Sequence, residues 1–477
     1  MTTANVKLWG KIIGTVVYNN GTITFEYDKK FTNSGIRLAP IYMPPANINY
    51  SFPNLINTSF EGLPGLLADS LPDTFGNMLI NEYLVRQGRK ENSMDPVEKL
   101  LYVGTRGPGA LEYFPSSDIE AYSGELNIEA LSQLATKMLT EKTSMNISTD
   151  DELAMQHLIQ TGSSAGGSRA KILIALNERE KSIKSGQIYA GKGYTYWILK
   201  FDFTQVNNEK ILKPNDKEYT KIEYAYHLMA KQAGIDMSEC RLYEDNGCSH
   251  FITKRFDRGD DGEKYFMQSL AATGHYDYNM PGTCGFEQMA MLMDQMNLPQ
   301  NQKEQAFRRI VFNELSKNYD DHVKNFAFLM DQKGNWSISP AFDITYSYQP
   351  EHRFIGHHQI LINNKNDNLT IDDFIKCGKS FNLKERNIRN MIEEISEVIK
   401  LWPAFAQKAH ISEQRMEQVK QDHNSMILRN TQSKQPQNNV DIRKKLSLPK
   451  ENLLKSNNNH DIQQNKNLHS DDWKGVD

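Results

Sequence analysis

Asn318-Tyr319-Asp320-Asp321-His322-Val323-Lys324-Asn325 is the stretch that decides how this chain is read. Asp320 is followed five residues later by Asn325, and a further acid, Asp343, lies one short hairpin downstream. An Asp beside an acceptor hydroxyl, with an Asn and a second Asp as hard oxygen ligands for magnesium (Mg2+), is the set that phosphoryl transfer requires. Asp320 is the candidate for orienting or deprotonating the hydroxyl, and Asn325 and Asp343 are the candidate metal ligands. Taken alone, the same spacing also fits Asp320 and Asp321 capping a helix or turn. His322 fits a structural hydrogen bond that holds the loop better than a proton shuttle.

The surroundings of the stretch decide between these options. Just upstream, Phe307, Ile310, Val311 and Leu315 fall on one face between Lys303 and Lys317, which predicts a buried helix delivering the chain into the Asp320 loop. Downstream, Phe326-Ala327-Phe328-Leu329-Met330 and Trp336-Ser337-Ile338-Ser339 flank Asp331-Gln332-Lys333-Gly334, the pattern of a hairpin with Asp343 just beyond it. Much earlier, the glycine-rich loop Gly162-Ser163-Ser164-Ala165-Gly166-Gly167-Ser168 precedes the apolar strand Ile172–Leu176. Glycines let backbone N–H groups approach phosphate oxygens, although this loop matches neither the Walker A pattern nor GxGxxG. The next strand, Tyr194–Phe201, carries Lys200, placed to reach the α- and β-phosphates but equally readable as a solvated lysine. A helix over about Tyr219–Gln232 follows, with Ile222, Ala225, Leu228 and Met229 as its apolar stripe and Gly234 past its end. It carries Glu223, a candidate partner for Lys200 or an ordinary exposed carboxylate. The strand His250–Phe256 then resembles a hinge. Glycine loop, strand lysine, helix with Glu, hinge strand, buried helix, Asp-x4-Asn, hairpin and Asp is the order found in protein kinases.

Composition removes other classes. A net charge of −4 over 477 residues gives no global attraction to nucleic acid or acidic membrane. No apolar run approaches the roughly 20 residues of a membrane span. Cys240, Cys248, Cys284 and Cys377 are not spaced as CxxC, so neither zinc nor a disulfide framework is indicated. The start, Met-Thr-Thr-Ala-Asn-Val-Lys-Leu-Trp, lacks the basic and apolar regions of a secretory leader, and a cytoplasmic location is expected.

Residues 1–115 read as a compact N-terminal unit. It opens with a hairpin, Lys11–Tyr18 against Thr22–Tyr27 around Asn19-Asn20-Gly21. A helix from Thr74 to about Gln87 ends at Gly88. Residues 116–412 form the core, with a first lobe to about 255. Residues 413–477 are dense in Asn, Gln, Lys and Ser toward their end, and such a tail cannot offset its ordering entropy by burial. It is expected to lack fixed structure, with at most a transient helix near Glu413–Leu428.

Several motifs in one order resemble HipA-type serine/threonine kinases, the toxins of bacterial type II toxin–antitoxin modules. They are Phe60-Glu61-Gly62-Leu63-Pro64-Gly65-Leu66-Leu67-Ala68-Asp69-Ser70-Leu71-Pro72-Asp73, Tyr102–Glu112, Ser163–Gly167, Trp197–Lys200, Thr253–Arg258, Asn318–Asn325 and Ser339–Ile344. The resemblance implies an α+β, bilobal kinase-like fold with an extra N-terminal subdomain that contacts a small DNA-binding antitoxin (HipB-like). It implies ATP and magnesium as cofactors and DNA contact only through the antitoxin. The family's ATP-binding lysine falls on Lys200, and its hinge on Lys254, Arg255 and Phe256, where backbone groups meet adenine. Its catalytic Asp falls on Asp320 and its metal ligands on Asn325 and Asp343. His322 and Lys324 border the same site, as do Ser163, Ser164, Ala165, Gly166 and Gly167. Its autophosphorylated loop serine falls on Ser163, with Ser164 the alternative. The target implied is a translation component such as an aminoacyl-tRNA synthetase. A kinase-shaped corepressor without turnover, or a kinase of a small molecule or lipid, are the competing possibilities.

Overall fold

The computed structural model describes residues 1–116, 122–140, 149–162, 169–202 and 218–424. Ser163, Ser164, Ala165, Gly166 and Gly167 therefore lie outside the described residues, as does everything beyond Asn424. Among the described residues the architecture is α+β, with three sheets and a run of helices from Ile371 to Asn424.

The N-terminal unit is an antiparallel sheet of β1 (Thr2–Leu8), β2 (Lys11–Asn19), β3 (Thr22–Tyr27), β4 (Asn49–Tyr50) and β5 (Leu111–Phe114), in the order β4-β3-β2-β1-β5. The β2–β3 turn is the expected one. Asn20 and Gly21 sit at φ 48° and 82°, the left-handed pair that a two-residue hairpin of matching twist demands. Ile23, Phe25 and Tyr27 alternate into the core.

The second sheet holds β6 (Lys171–Asn177), β7 (Ser182–Ser185), β8 (Thr195–Lys200), β9 (Cys240–Asp245) and β10 (Cys248–Lys254), ordered β7-β6-β8-β10-β9. The helix Tyr219–Gln232 packs against it, and Gly234 beyond its end takes φ 76°. The third sheet is β11 (Phe266–Ser269), β12 (Ala327–Met330) and β13 (Trp336–Ile338). Its β12–β13 pair is the hairpin expected after the Asp320 loop. The helix Gln300–Leu315 buries Phe307, Ile310 and Val311 completely, so the segment feeding that loop is anchored in the largest core.

Two features depart from what the sequence suggests. The N-terminal unit shares its apolar core with Phe266 and Met330 of the third sheet, so it is built into the body rather than appended to it. And Glu413–Asn424 is a docked helix, not a transient one. Val419 is fully buried, Trp402 Nε1 donates to the Met416 carbonyl (2.9 Å), and the Tyr346 hydroxyl donates to Asp422 (2.5 Å). The helix is mostly polar around its circumference, and its apolar stripe is too short for composition to reveal. The packed body thus extends past residue 412.

Candidate active site

β8 ends at Lys200, which the sheet register sets between Lys171 of β6 and Phe251 of β10. Its ammonium donates to Glu223 Oε1 (2.7 Å) and to the Asp343 carboxylate. Glu223 is therefore the partner of Lys200 rather than an exposed helix carboxylate, and it is 2% exposed. Burial lowers the proton affinity of Lys200, but Asp343 and Glu223 outweigh it and hold the group cationic, well above the ordinary lysine range. Asp343 feels the reverse balance. Burial raises its carboxyl, the Lys200 and Lys171 charges lower it further, and the net direction is down. Its backbone lies at φ 52°, a left-handed conformation that is uncommon outside glycine and clusters at functional sites.

The Asp320 side chain is 46% exposed and so open to an acceptor. The loop behind it is tied down. Asn325 Nδ2 donates to the Asp320 carbonyl (2.7 Å), and the Asn325 N–H donates to the His322 carbonyl (2.8 Å). His322 Nδ1 accepts the Lys324 N–H at 3.3 Å, the local bond anticipated for this residue, while its Nε2 stands 3.9 Å from Asp320.

Lys254, Arg255, Phe256, His322, Lys324 and Asn325 line one cleft; Lys171, Lys200, Glu223 and Asp343 line the next. The two share Ile198, Thr253 and Phe342, which makes an apolar compartment continuous with a charged one. One refinement concerns the hinge. The N–H groups of Lys254 and Arg255 already donate to the Glu239 and Tyr196 carbonyls (both 2.8 Å), so neither is left to meet a ligand. The charged ends of the two hinge side chains are paired as well. Lys254 Nζ pairs with Asp260 at 3.0 Å, and Arg255 forks onto Asp257 at 2.9 and 2.8 Å.

The N-terminal unit reaches this site directly. Asp69 accepts from the Ser269 N–H (2.6 Å) and hydroxyl (2.7 Å) and lines the cleft with Pro108. Asp73 caps the helix Thr74–Arg86 through the Gly76 N–H (2.7 Å) and pairs with Lys171 at 3.2 Å. Asp257 accepts the Gly109 N–H (2.8 Å), while Arg258 donates to the Gly107 (2.9 Å) and Gly109 (2.8 Å) carbonyls. Asp69, Asp73 and Lys171 escaped the site reading. Asp69 and Asp73 stand in the Phe60–Asp73 motif with nothing local to give them a role, and Lys171 opens an otherwise apolar strand.

Behind the loop lies a further group with no sequence signal. His358 is fully buried between two carboxylates, with Nδ1 2.6 Å from Asp321 Oδ2 and Nε2 2.6 Å from Glu314 Oε2. Burial lowers its proton affinity, but Asp321 and then Glu314 more than reverse this and raise its pKa from 6.5 to about 10. A raised basic group contributes stability that is complete below pH 6.5 and is lost as pH climbs toward 10. The urea midpoint of the wild type is accordingly expected to fall between pH 7 and pH 10 more steeply than that of His358→Gln, and equal slopes would contradict a charged trio.

A buried lysine held between two acids, a half-exposed Asp on a hydrogen-bonded loop and a cleft beside them sit in a kinase-like fold. Comparison with known proteins agrees. The HipA N-terminal domain profile matches residues 4–114, and the HipA-like C-terminal domain profile matches residues 163–402. The chain belongs to the HipA family. It is 26% identical over 230 residues to a kinase candidate from Haemophilus influenzae, a match covering 41% of this chain and 66% of that relative's length. Among solved structures it is similar to HipA of Shewanella oneidensis, seen with HipB and operator DNA. That likeness has a TM-score of 0.61 at 15% identity and covers 89% of this chain and 95% of that one. No helix among the described residues is long and apolar enough to cross a membrane.

Proposed function

We propose that this protein is an ATP- and magnesium-dependent serine/threonine protein kinase and the toxin of a type II toxin–antitoxin module. The observation that carries this reading is the Lys200–Glu223–Asp343 ion trio beside the exposed Asp320. Such a trio holds a cation where phosphate oxygens arrive, and preorganised charge is the larger part of phosphoryl-transfer catalysis.

In this reading adenine lies in the apolar compartment bounded by Ile198, Thr253 and Phe342, and the phosphates extend toward Lys200. Asp320 orients the acceptor hydroxyl and takes its proton as the hydroxyl oxygen bonds to the γ-phosphorus and the bond from that phosphorus to ADP, the leaving group, breaks. Asn325 and Asp343 would hold magnesium. Both offer oxygen donors, the hard set that this ion prefers, and Asn325 Nδ2 is already engaged with the Asp320 carbonyl, which leaves Oδ1 as its ligand atom. Magnesium, when bound, neutralises charge on the transferring phosphate. Autophosphorylation of Ser163, or of Ser164 in its place, switches the enzyme off. The N-terminal unit receives a small HipB-like antitoxin, and the cellular target is a translation component such as an aminoacyl-tRNA synthetase. Family membership and the antitoxin-bound Shewanella neighbour support the antitoxin assignment.

Expression of the wild type and of Asp320→Asn in a sensitive bacterium tests the proposal, with phosphoproteomics of the arrested cells to name the substrate. Growth arrest is expected with the wild type alone. Equal growth of the two strains, with tight antitoxin binding by both, would leave a corepressor without turnover.

A further inference from the structure

The catalytic loop is supported from behind by residues that no phosphate would touch. The Gln359 side-chain amide donates to Asp320 Oδ1 at 2.9 Å, and its backbone N–H donates to Asp321 Oδ1 at 2.8 Å. Asp321 Oδ2 meets His358, whose other nitrogen meets Glu314 in the buried helix Gln300–Leu315. An imidazole with a carboxylate oxygen on each nitrogen must donate from both, which makes it a cation among anions. Around the trio, the Tyr319 hydroxyl donates to Glu314 (3.0 Å) and accepts from Lys317 Nζ (3.0 Å). Tyr348 packs against Tyr319, and the Asp367 carboxylate acts on Lys317 and Tyr319 from further off. Facing the Asp320 carboxylate itself are Gln359 and, at 3.9 Å, His322.

We propose that Gln359 is a positioning residue for Asp320, and that the Glu314–His358–Asp321 trio exists to hold Gln359 in place. The cationic His358 ties Asp321 to a helix that cannot move without opening the core. Asp321 then fixes the Gln359 backbone, and the Gln359 amide aims one oxygen of Asp320, leaving the other for the acceptor hydroxyl. Asp320 is half-exposed and would otherwise rotate among several conformers, so one fixed donor restricts it to a single useful one. This rests on the kinase reading of the site and adds to it the group that orients the base.

The test uses the full-length chain, ATP and the autophosphorylation or substrate assay. Gln359→Met keeps the length and removes the donor; it is expected to lower kcat about tenfold, the worth of one hydrogen bond to a charged group, with KM for ATP unchanged. Gln359→Glu replaces the donor with a carboxylate beside Asp320 and is expected to move the acid limb of the pH–rate profile to higher pH. A merely structural role would move neither the kcat–KM split nor the pH limb. Should a Gln359 variant fold poorly, the ¹⁵N signals of the His358 ring in the wild type still report. Two protonated nitrogens at pH 8 support the trio, and a neutral ring overturns it. Active wild type matched by both Gln359 variants in kcat and pH profile overturns the inference alone, whereas wild type no better than Asp320→Asn removes the kinase reading beneath it.

Discussion

Asp257→Ala is expected to cost about 3–5 kcal/mol of folding stability, the range for removing one partner of a buried ion pair. Three charges meet at this point. Arg255 and Arg258 have side chains only 1% and 2% exposed, and Asp257 between them bonds to both. Burial pushes the Asp257 carboxyl up, but the two guanidiniums overcome that and set it far below the usual carboxylate range. Removing the carboxylate leaves two desolvated cations side by side and takes the acceptor from the Gly109 N–H. The loss has a functional side as well. Gly107 and Gly109 belong to the N-terminal unit and Arg255 reaches Gly186 beside the second sheet, so the same substitution loosens the joint between these two parts. Urea unfolding at pH 7 measures the effect, and a change below about 1 kcal/mol, the level of an exposed pair, would mean that water reaches the cluster. Because the Asp257 pKa is depressed on folding, its contribution is present above the ordinary value of 3.8 and fades as the pH falls below it.

Asp320→Asn is expected to reduce phosphate transfer from labelled ATP by about 100- to 10,000-fold, the span that a positioned acid–base group contributes. The amide has the shape of the carboxylate and keeps an oxygen for Gln359 Nε2, so the loop should stay folded. What it lacks is the ability to accept the hydroxyl proton. ATP affinity should be retained, because the proposed reading puts the nucleotide against Lys200, Ile198 and Phe342, which line the clefts, rather than against Asp320. A variant that binds ATP as the wild type does but transfers no phosphate is the expected outcome. A rate within a factor of a few of the wild type would remove Asp320 from the chemistry and return it to the role of a turn residue.

Much of this site is legible in the sequence because it is carried by local patterns. The helix Tyr219–Gln232 ends where its stripe and Gly234 predict, and the β2–β3 and β12–β13 hairpins follow from their turn residues. The spacing of Asp320 to Asn325 is itself local, and so is the reach of Asn325 back to the Asp320 carbonyl. Glu413–Asn424 is not legible in the sequence for the complementary reason. A polar helix held by Val419, Met416 and Asp422 has too few apolar positions to announce a packed face.

By itself, the sequence determined many of the elements and their order along the chain, because short-range periodicity and turn chemistry depend only on neighbouring side chains. The tertiary structure decided which charges neutralise one another. Lys200 meets Asp343 across 143 positions, Gly109 meets Asp257 across 148, and His358 bridges to Glu314 across 44. Nothing in a linear spacing encodes these contacts. Each group is charged or polar wherever it stands, and only the packing of two lobes and an N-terminal sheet removes the water that would otherwise make the pairing worth little.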